Sequence, residues 1–323
     1  MTPRALIART ALGTLRSACF SASLFLVAGL VPLIGGVVAI LAPAPILSGS
    51  VGFQRPRVRA LIAIALAAGL VGLAGGSTVA LIYLLTSGLA AIAMAEMLAR
   101  RKPFETIVLV TTGLILTIAG VAVFVAAGSP QALGRSLHDS LAAGMAHGRD
   151  FYRTLGVDTG ISTDEQNAIV DATIRLFPAL AAIAAAFSVL FNLSLFWRFG
   201  GSKRLGYPLF GDLARWSAPE WLIWVMLATG FALFVPFPVL RMVALDCFIC
   251  VASVYFCQGM AIMAFYFRVL AMPSLVRGII YLVTGIQPVL AAIVCAAGIF
   301  DLWIDFRRLK PPRQEAGTFG DFL

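Results

Sequence analysis

The sequence predicts an all-α protein: a polytopic transmembrane helix bundle of eight to nine membrane segments, with one short interfacial amphipathic helix. Three observations carry this expectation. Of the 323 residues, 60% are hydrophobic and only 12% charged, against about 45–50% and about 25% in soluble domains. The apolar residues come in long blocks, several reaching the roughly 20 residues that a helix needs to cross hydrocarbon. Those blocks do not alternate polar with apolar residues in segments of about 10, as the strands of a membrane β-barrel do. No fixed-period repeat and no long linker appears, so residues 1–323 read as a single integral membrane domain.

The elements follow in order. Arg4, Arg9 and Arg16 lead into an apolar stretch from Ala18 to about Phe53. This is far longer than the apolar region of a signal peptide, and it reads as retained membrane structure. Gly35-Gly36 and Ala42-Pro43-Ala44-Pro45 break it, into two helices or into one helix with a re-entrant piece. Two helices are favoured, because they return the chain to its starting side. Arg55-Pro56-Arg57-Val58-Arg59 is a basic turn. Leu61 to Leu98 holds two spans split near Gly75-Gly76, closed by Arg100-Arg101-Lys102, and Phe104 to Ala127 is one further span.

The segment from about 128 to 168 is polar. Within it Leu133, Leu137, Leu141 and Met145 recur every four residues after Pro130, the pattern of a short amphipathic helix lying at the interface. Ser162-Thr163-Asp164-Glu165 fits a capping box and starts a helix through Phe177-Pro178 to Trp197. A basic loop, about 198–219, carries Lys203 and Arg204. Ser217-Ala218-Pro219-Glu220 reads as a second capping box, opening a span that ends near Val239. Trp216, Trp221 and Trp224 mark the membrane boundary there. Val243–Phe267 and Gly278–Ile304 complete the apolar blocks, the second broken at Gln287-Pro288.

The net charge of +9 fits cytoplasmic loops, since Lys and Arg are retained on that side. This places the N-terminus, Arg55–Arg59, Arg100–Lys102 and Lys203–Arg204 in the cytoplasm and residues 128–168 outside. Continuing the count puts Arg268–Arg277 inside but the basic residues from Arg307 onward outside, against the rule.

Composition and motifs exclude several function classes. No basic stripe interleaved with exposed aromatics is present, so no nucleic-acid partner is expected. No Walker loop and no H-E-x-x-H motif occurs. Cys247-Phe248-Ile249-Cys250 lies in an apolar run without a βαβ context, and Cys19, Cys257 and Cys295 are likewise in apolar runs. Buried thiols there act as small hydrophobes. His138 and His147 fit no standard ligand spacing. No cofactor, no metal and no catalytic residue is assigned, and no enzymatic activity is expected.

Polar residues at membrane depth are the candidate site residues, because such groups face a bundle interior and mark function. Gln258, Asn192, Arg175, Arg241 and Gln287 are the candidate ligand-binding set, and Asp301, Asp305 and Glu96 form a boundary set. Glu96 has Arg100 at i+4, and Asp171 stands four residues before Arg175. Arg241 and Asp246 bracket the start of a later helix, and with Asp171 and Arg175 they are candidates for one outer polar cluster. Asp301 and Asp305 are spaced to share one helix face beside Arg308. Gln258 is expected to turn inward, towards Asn192 or the carbonyl freed by Pro288.

The stretches "FPALAAIAAAFSVLFNLSLFWR" (177–198), "YFCQGMAIMAFYF" (255–267) and "GIFDLWIDFRRL" (298–309) resemble the YybS-like family of bacterial multi-pass inner-membrane proteins, a domain of unknown function. That family is loosely similar to the substrate-binding membrane subunits of vitamin transporters and to a rod-shape scaffold protein. The resemblance implies an architecture and no catalytic residues. The expected function is a small-molecule-binding or transport-related membrane module without its own energy source. The alternative is a structural or assembly scaffold of the cell envelope. Membrane lipids and other membrane or cytoplasmic proteins are the expected partners, and the cell inner (plasma) membrane the expected location.

Overall fold

The computed structural model describes residues 3–30, 35–52, 55–154, 156, 160 and 162–308. Every regular element among them is helical. The chain packs as two compact units, Met1–Phe210 and Gly211–Leu323.

Unit one begins with α1, Pro3–Leu30, followed by α2, Gly35–Ile40, and α3, Pro43–Ser50. The first apolar block is thus one long helix and a return leg in two pieces. The break falls at Leu41-Ala42, where Pro43 starts α3 without losing a hydrogen bond. The return leg is antiparallel to α1. The Ser21 hydroxyl donates to the Ala42 carbonyl at 2.7 Å, and a side chain at Gly49 would collide with Ser17 and one at Gly35 with the Ala28 backbone.

Helix α4, Pro56–Tyr83, continues through a wide turn at Leu84–Gly88 into α5, Leu89–Ala99. A straight run of 44 residues would reach about 66 Å at 1.5 Å per residue, twice the hydrocarbon thickness of about 30 Å. The run folds back instead. Gly76 adopts φ 85°, ψ 172°, open to glycine because it lacks Cβ. Beyond it Ile64 lies against Gly88, and Arg57 pairs with Glu96. Small residues line the two limbs, among them Ala60, Ala63, Ala67, Ala91 and Ala95, all buried, and small residues let membrane helices approach closely.

Helix α6, Phe104–Ala127, ends on Gly128 at φ 74°, a left-handed cap. Helix α7, Pro130–Thr154, is the amphipathic helix. At 25 residues it is longer than the leucine periodicity alone marks out. Helix α8, Thr163–Phe196, starts at the capping box: Ser162 Oγ accepts from the Glu165 N–H at 3.2 Å, and Glu165 Oε2 accepts from the Ser162 N–H at 2.9 Å. Pro178 lies inside α8. The short α9, Ser202–Leu205, follows a distorted turn at Trp197–Gly201.

Unit two holds α10, Leu222–Ala232; α11, Pro238–Val269; α12, Ser274–Ile286; and α13, Pro288–Ile304. The expected second capping box is not formed. Helix α10 starts after Trp221 with no side-chain cap, and in the chain ahead of it the Ala218 N–H donates to Gln258. At 11 residues α10 spans about 16 Å, short of the full crossing expected to end near Val239. Pro288 bends α12 from α13 by 101°.

Among the described residues five helices are long and apolar enough to cross a membrane, six if the bent pair counts as one span. The expected eight to nine segments are not all of this kind: the α2–α3 leg is broken by its prolines, α10 is short, and Pro56–Ala99 is one helical run folded back at Gly76.

Helices α11 and α13 run parallel. Cys295 meets Ala252 and Asp301 meets Gln258 at the same sequence offset, 43 residues. They touch backbone to backbone. A Cβ at Gly259 would fall on the Val294 carbonyl oxygen, and one at Gly298 on that of Tyr255.

Candidate functional site

The best-defined polar assembly sits where α11, the end of α13 and the 212–218 loop of unit two converge. Glycines 259 and 298 bring α11 and α13 close enough for Gln258 to face Asp301. Asp305 ends α13 in the left-handed conformation, φ 48°. That turn folds the next two residues back onto the helix end.

Asp301 then accepts three hydrogen bonds. Gln258 Nε2 donates to Oδ2 at 3.1 Å, Arg307 Nη2 to the same oxygen at 2.6 Å, and the Phe306 N–H to Oδ1 at 3.0 Å. The Asp301 and Arg307 side chains are 5% and 1% exposed, so this is a buried ion pair. Arg307 Nη1 also donates to the carbonyls of Ala214 and Trp216 at 2.9 and 2.8 Å. Gln258 Oε1 accepts from the Ala218 N–H at 3.0 Å. One carboxylate, one guanidinium and one amide thus hold three segments together. The Arg307 Nε is buried without a partner.

Two contacts flank this lock. Tyr266 donates to the Phe306 carbonyl at 2.8 Å, and Arg268 pairs with Asp212 at 2.6 Å. Desolvation pushes the Asp212 carboxyl up, but hydrogen bonds from Arg268 and the Ala214 N–H, with the charges of Arg268 and Arg215, outweigh it and hold the group below its ordinary range.

The sequence-derived candidates are placed as follows. Gln258 turns inward, but its partners are Asp301 and Ala218, not Asn192 or a carbonyl freed by Pro288. Asn192 is fully buried in unit one. Its amide nitrogen donates to the Ile40 carbonyl at 2.6 Å and to that of Ser188 at 2.7 Å, tying α8 to the end of α2, while its Oδ1 is left without a partner. Glu96 accepts from Arg100 at 2.6 Å and also holds Arg57 across the Gly76 hairpin. Asp301 pairs with Arg307 rather than Arg308. The helix ends between Asp301 and Asp305, so the two carboxylates do not share a helical face.

Arg175 and Asp171 are exposed, and no ion pair joins them among the described residues. Arg241 is exposed, Asp246 is half-buried, and Gln287 is exposed at the α12–α13 break. Sequence reading missed Arg307, Asp212 and the 214–218 backbone. The one sequence signal for Arg307 was its place among basic residues just past an apolar helix.

Long apolar helices with internally paired polar groups define a multi-pass α-helical membrane protein. Residues 19–302 match the family described as Predicted membrane protein (DUF2232), and the chain belongs to that family. No curated protein and no solved structure matches it.

Proposed function

We propose that the protein is a structural or assembly module of the inner membrane, which docks other proteins rather than carrying a small molecule. The observation that most supports this reading is the condition of the buried polar side chains. Gln258, Asp301 and Arg307 close on one another and on backbone groups, and Asn192 donates to two backbone carbonyls. A transport role asks for a cavity lined by Gln258, Asn192, Arg175 and the broken α12–α13 pair. Gln258, at 3% exposure with both amide ends bonded, offers such a cavity nothing. The narrower kinship with YybS-like proteins and vitamin-transporter subunits belongs to that transport reading.

The same reading puts the N-terminal residues in the cytoplasm. It counts eight crossings: α1, the α2–α3 leg, the two limbs around Gly76, α6, α8, α10 and α11. The α12–α13 pair is then re-entrant. The parallel course of α11 and α13 supports this, because it brings Arg307 to the Arg268 end of unit two. The conflict between the charge rule and the basic residues after Arg307 then disappears.

Native mass spectrometry of the full chain, extracted in mild detergent, tests the assembly reading alongside crosslinking in intact membranes. The expected result is a discrete heteromeric crosslink and no bound small molecule other than phospholipid. A non-lipid ligand that co-purifies and is lost in Gln258→Leu would overturn it.

A further inference from the structure

Three turns of unit one meet at one end of its bundle. Arg57 and Arg100 close on Glu96, joining residues 55–59 to residues 100–102. Arg204 donates to the Ser48 carbonyl, and its side chain abuts Gly52. Tyr207 donates to the Leu98 carbonyl at 3.3 Å. The turns 55–59, 100–102 and 198–204 carry nine Lys and Arg residues, and Glu96 and Glu105 are the carboxylates beside them. Eight of the nine cations are exposed.

Two further features give this end its character. Apolar side chains stand exposed within a turn or two of the cations, including Val58, Leu61 and Ile62 on α4 and Leu109 on α6. The surface therefore presents positive charge directly above an apolar wall, the match to an amphiphile with an anionic head. In addition, Arg55 and Arg101 both sit at φ 52°. That conformation disfavours residues with a Cβ and suits glycine, yet arginine occupies it in both turns.

We propose that this end of unit one is a binding surface for anionic phospholipid headgroups. The guanidinium and ammonium groups pair with the phosphodiester, and the helix walls below take the acyl chains. Each cation near an anionic membrane surface contributes roughly fivefold in partition, so a cluster of this size distinguishes anionic from zwitterionic lipid.

The left-handed arginines supply a clean test. Arg55→Gly with Arg101→Gly removes two charges while relaxing two strained positions, so folding is preserved. The full chain is reconstituted in vesicles of equimolar phosphatidylglycerol and phosphatidylcholine, re-extracted, and its retained lipids are counted by native mass spectrometry. The expected result is an enrichment of phosphatidylglycerol of roughly fivefold or more that declines with salt. In the double variant it falls at least threefold or so, with an unchanged melting temperature in neutral detergent. Lys102→Gln with Lys203→Gln, both exposed, is the second variant and is expected to behave alike. Arg135→Gln with Arg153→Gln on α7 is expected to leave the enrichment intact. No enrichment in the wild type, full enrichment in both charge-removing pairs, an equal loss in the α7 pair, or binding of soluble RNA in place of phosphatidylglycerol would each overturn the proposal.

Discussion

The two units hold themselves together by different means. Unit one uses neutral groups one at a time. Ser21 bridges the Ala42 carbonyl and the Tyr83 hydroxyl at 2.7 Å each, and Asn192 ties α8 to Ile40; its Glu96 pairs stay at the exposed rim. Unit two concentrates its polar contacts in the buried Asp301–Arg307 pair. Neutral bonds between membrane helices contribute about 0.6 kcal/mol each, up to about 1.7. A buried charge pair gives little net stability over an apolar replacement but costs about 3–5 kcal/mol when one partner alone is removed. Unit one is therefore expected to tolerate single polar losses, and unit two to fail at one position.

Mutations that break this contrast rank by size. Asp301→Ala leaves Arg307 buried and uncompensated, and is expected to destabilise unit two by about 3–5 kcal/mol, read as loss of the folded fraction in a detergent-titration unfolding assay. Gly298→Val drives a side chain into the Tyr255 carbonyl and is expected to cost about 1–3 kcal/mol, with tryptic cleavage appearing first near the 212–218 loop. Gln258→Leu orphans the Ala218 N–H and one Asp301 bond, for about 1–3 kcal/mol. Ser21→Ala in unit one is expected to cost only about 0.6–1.7 kcal/mol in the same assay. If Ser21→Ala equals Asp301→Ala, the contrast between the units is wrong.

The smallest effect is a pH dependence at Asp212. Its carboxyl is held below its ordinary range, so its share of stability is present above the unfolded value of about 3.9. That share is lost as pH falls through the lower, folded value. Wild type and Asp212→Asn are therefore expected to differ above about pH 4 and to converge below it, in melting scans taken across that range.

Features fixed within one turn of chain were legible before any fold. The Ser162–Glu165 capping box, the Gly76 reversal and the Pro288 break each depend on neighbours in sequence, and each stands where residue type put it. Gln258 was recognisable as an inward-facing amide because nothing else in its run is polar. Its partner was not. Arg307 reaches Asp301 only because Asp305 turns left-handed and the chain doubles back, and helical spacing pointed to Arg308 instead. The Ser217–Glu220 motif likewise does not start its helix: α10 begins after Trp221, and the chain at Ala218 is held by Gln258, 40 residues away. Fewer helices pass on length and apolarity than the expected eight to nine, because the α2–α3 leg is broken, α10 is short and the folded Pro56–Ala99 run is one continuous helical stretch.

The buried polar side chains of unit two act as one structural lock. A double-mutant cycle on Asp301→Asn and Arg307→Gln, read by unfolding of the full chain in mild detergent, tests it most directly. The expected coupling energy lies within about 0.5–3 kcal/mol, the range for residues in contact, with the double variant less destabilised than the two single effects summed. Additive effects, with no coupling between the two positions, would contradict it.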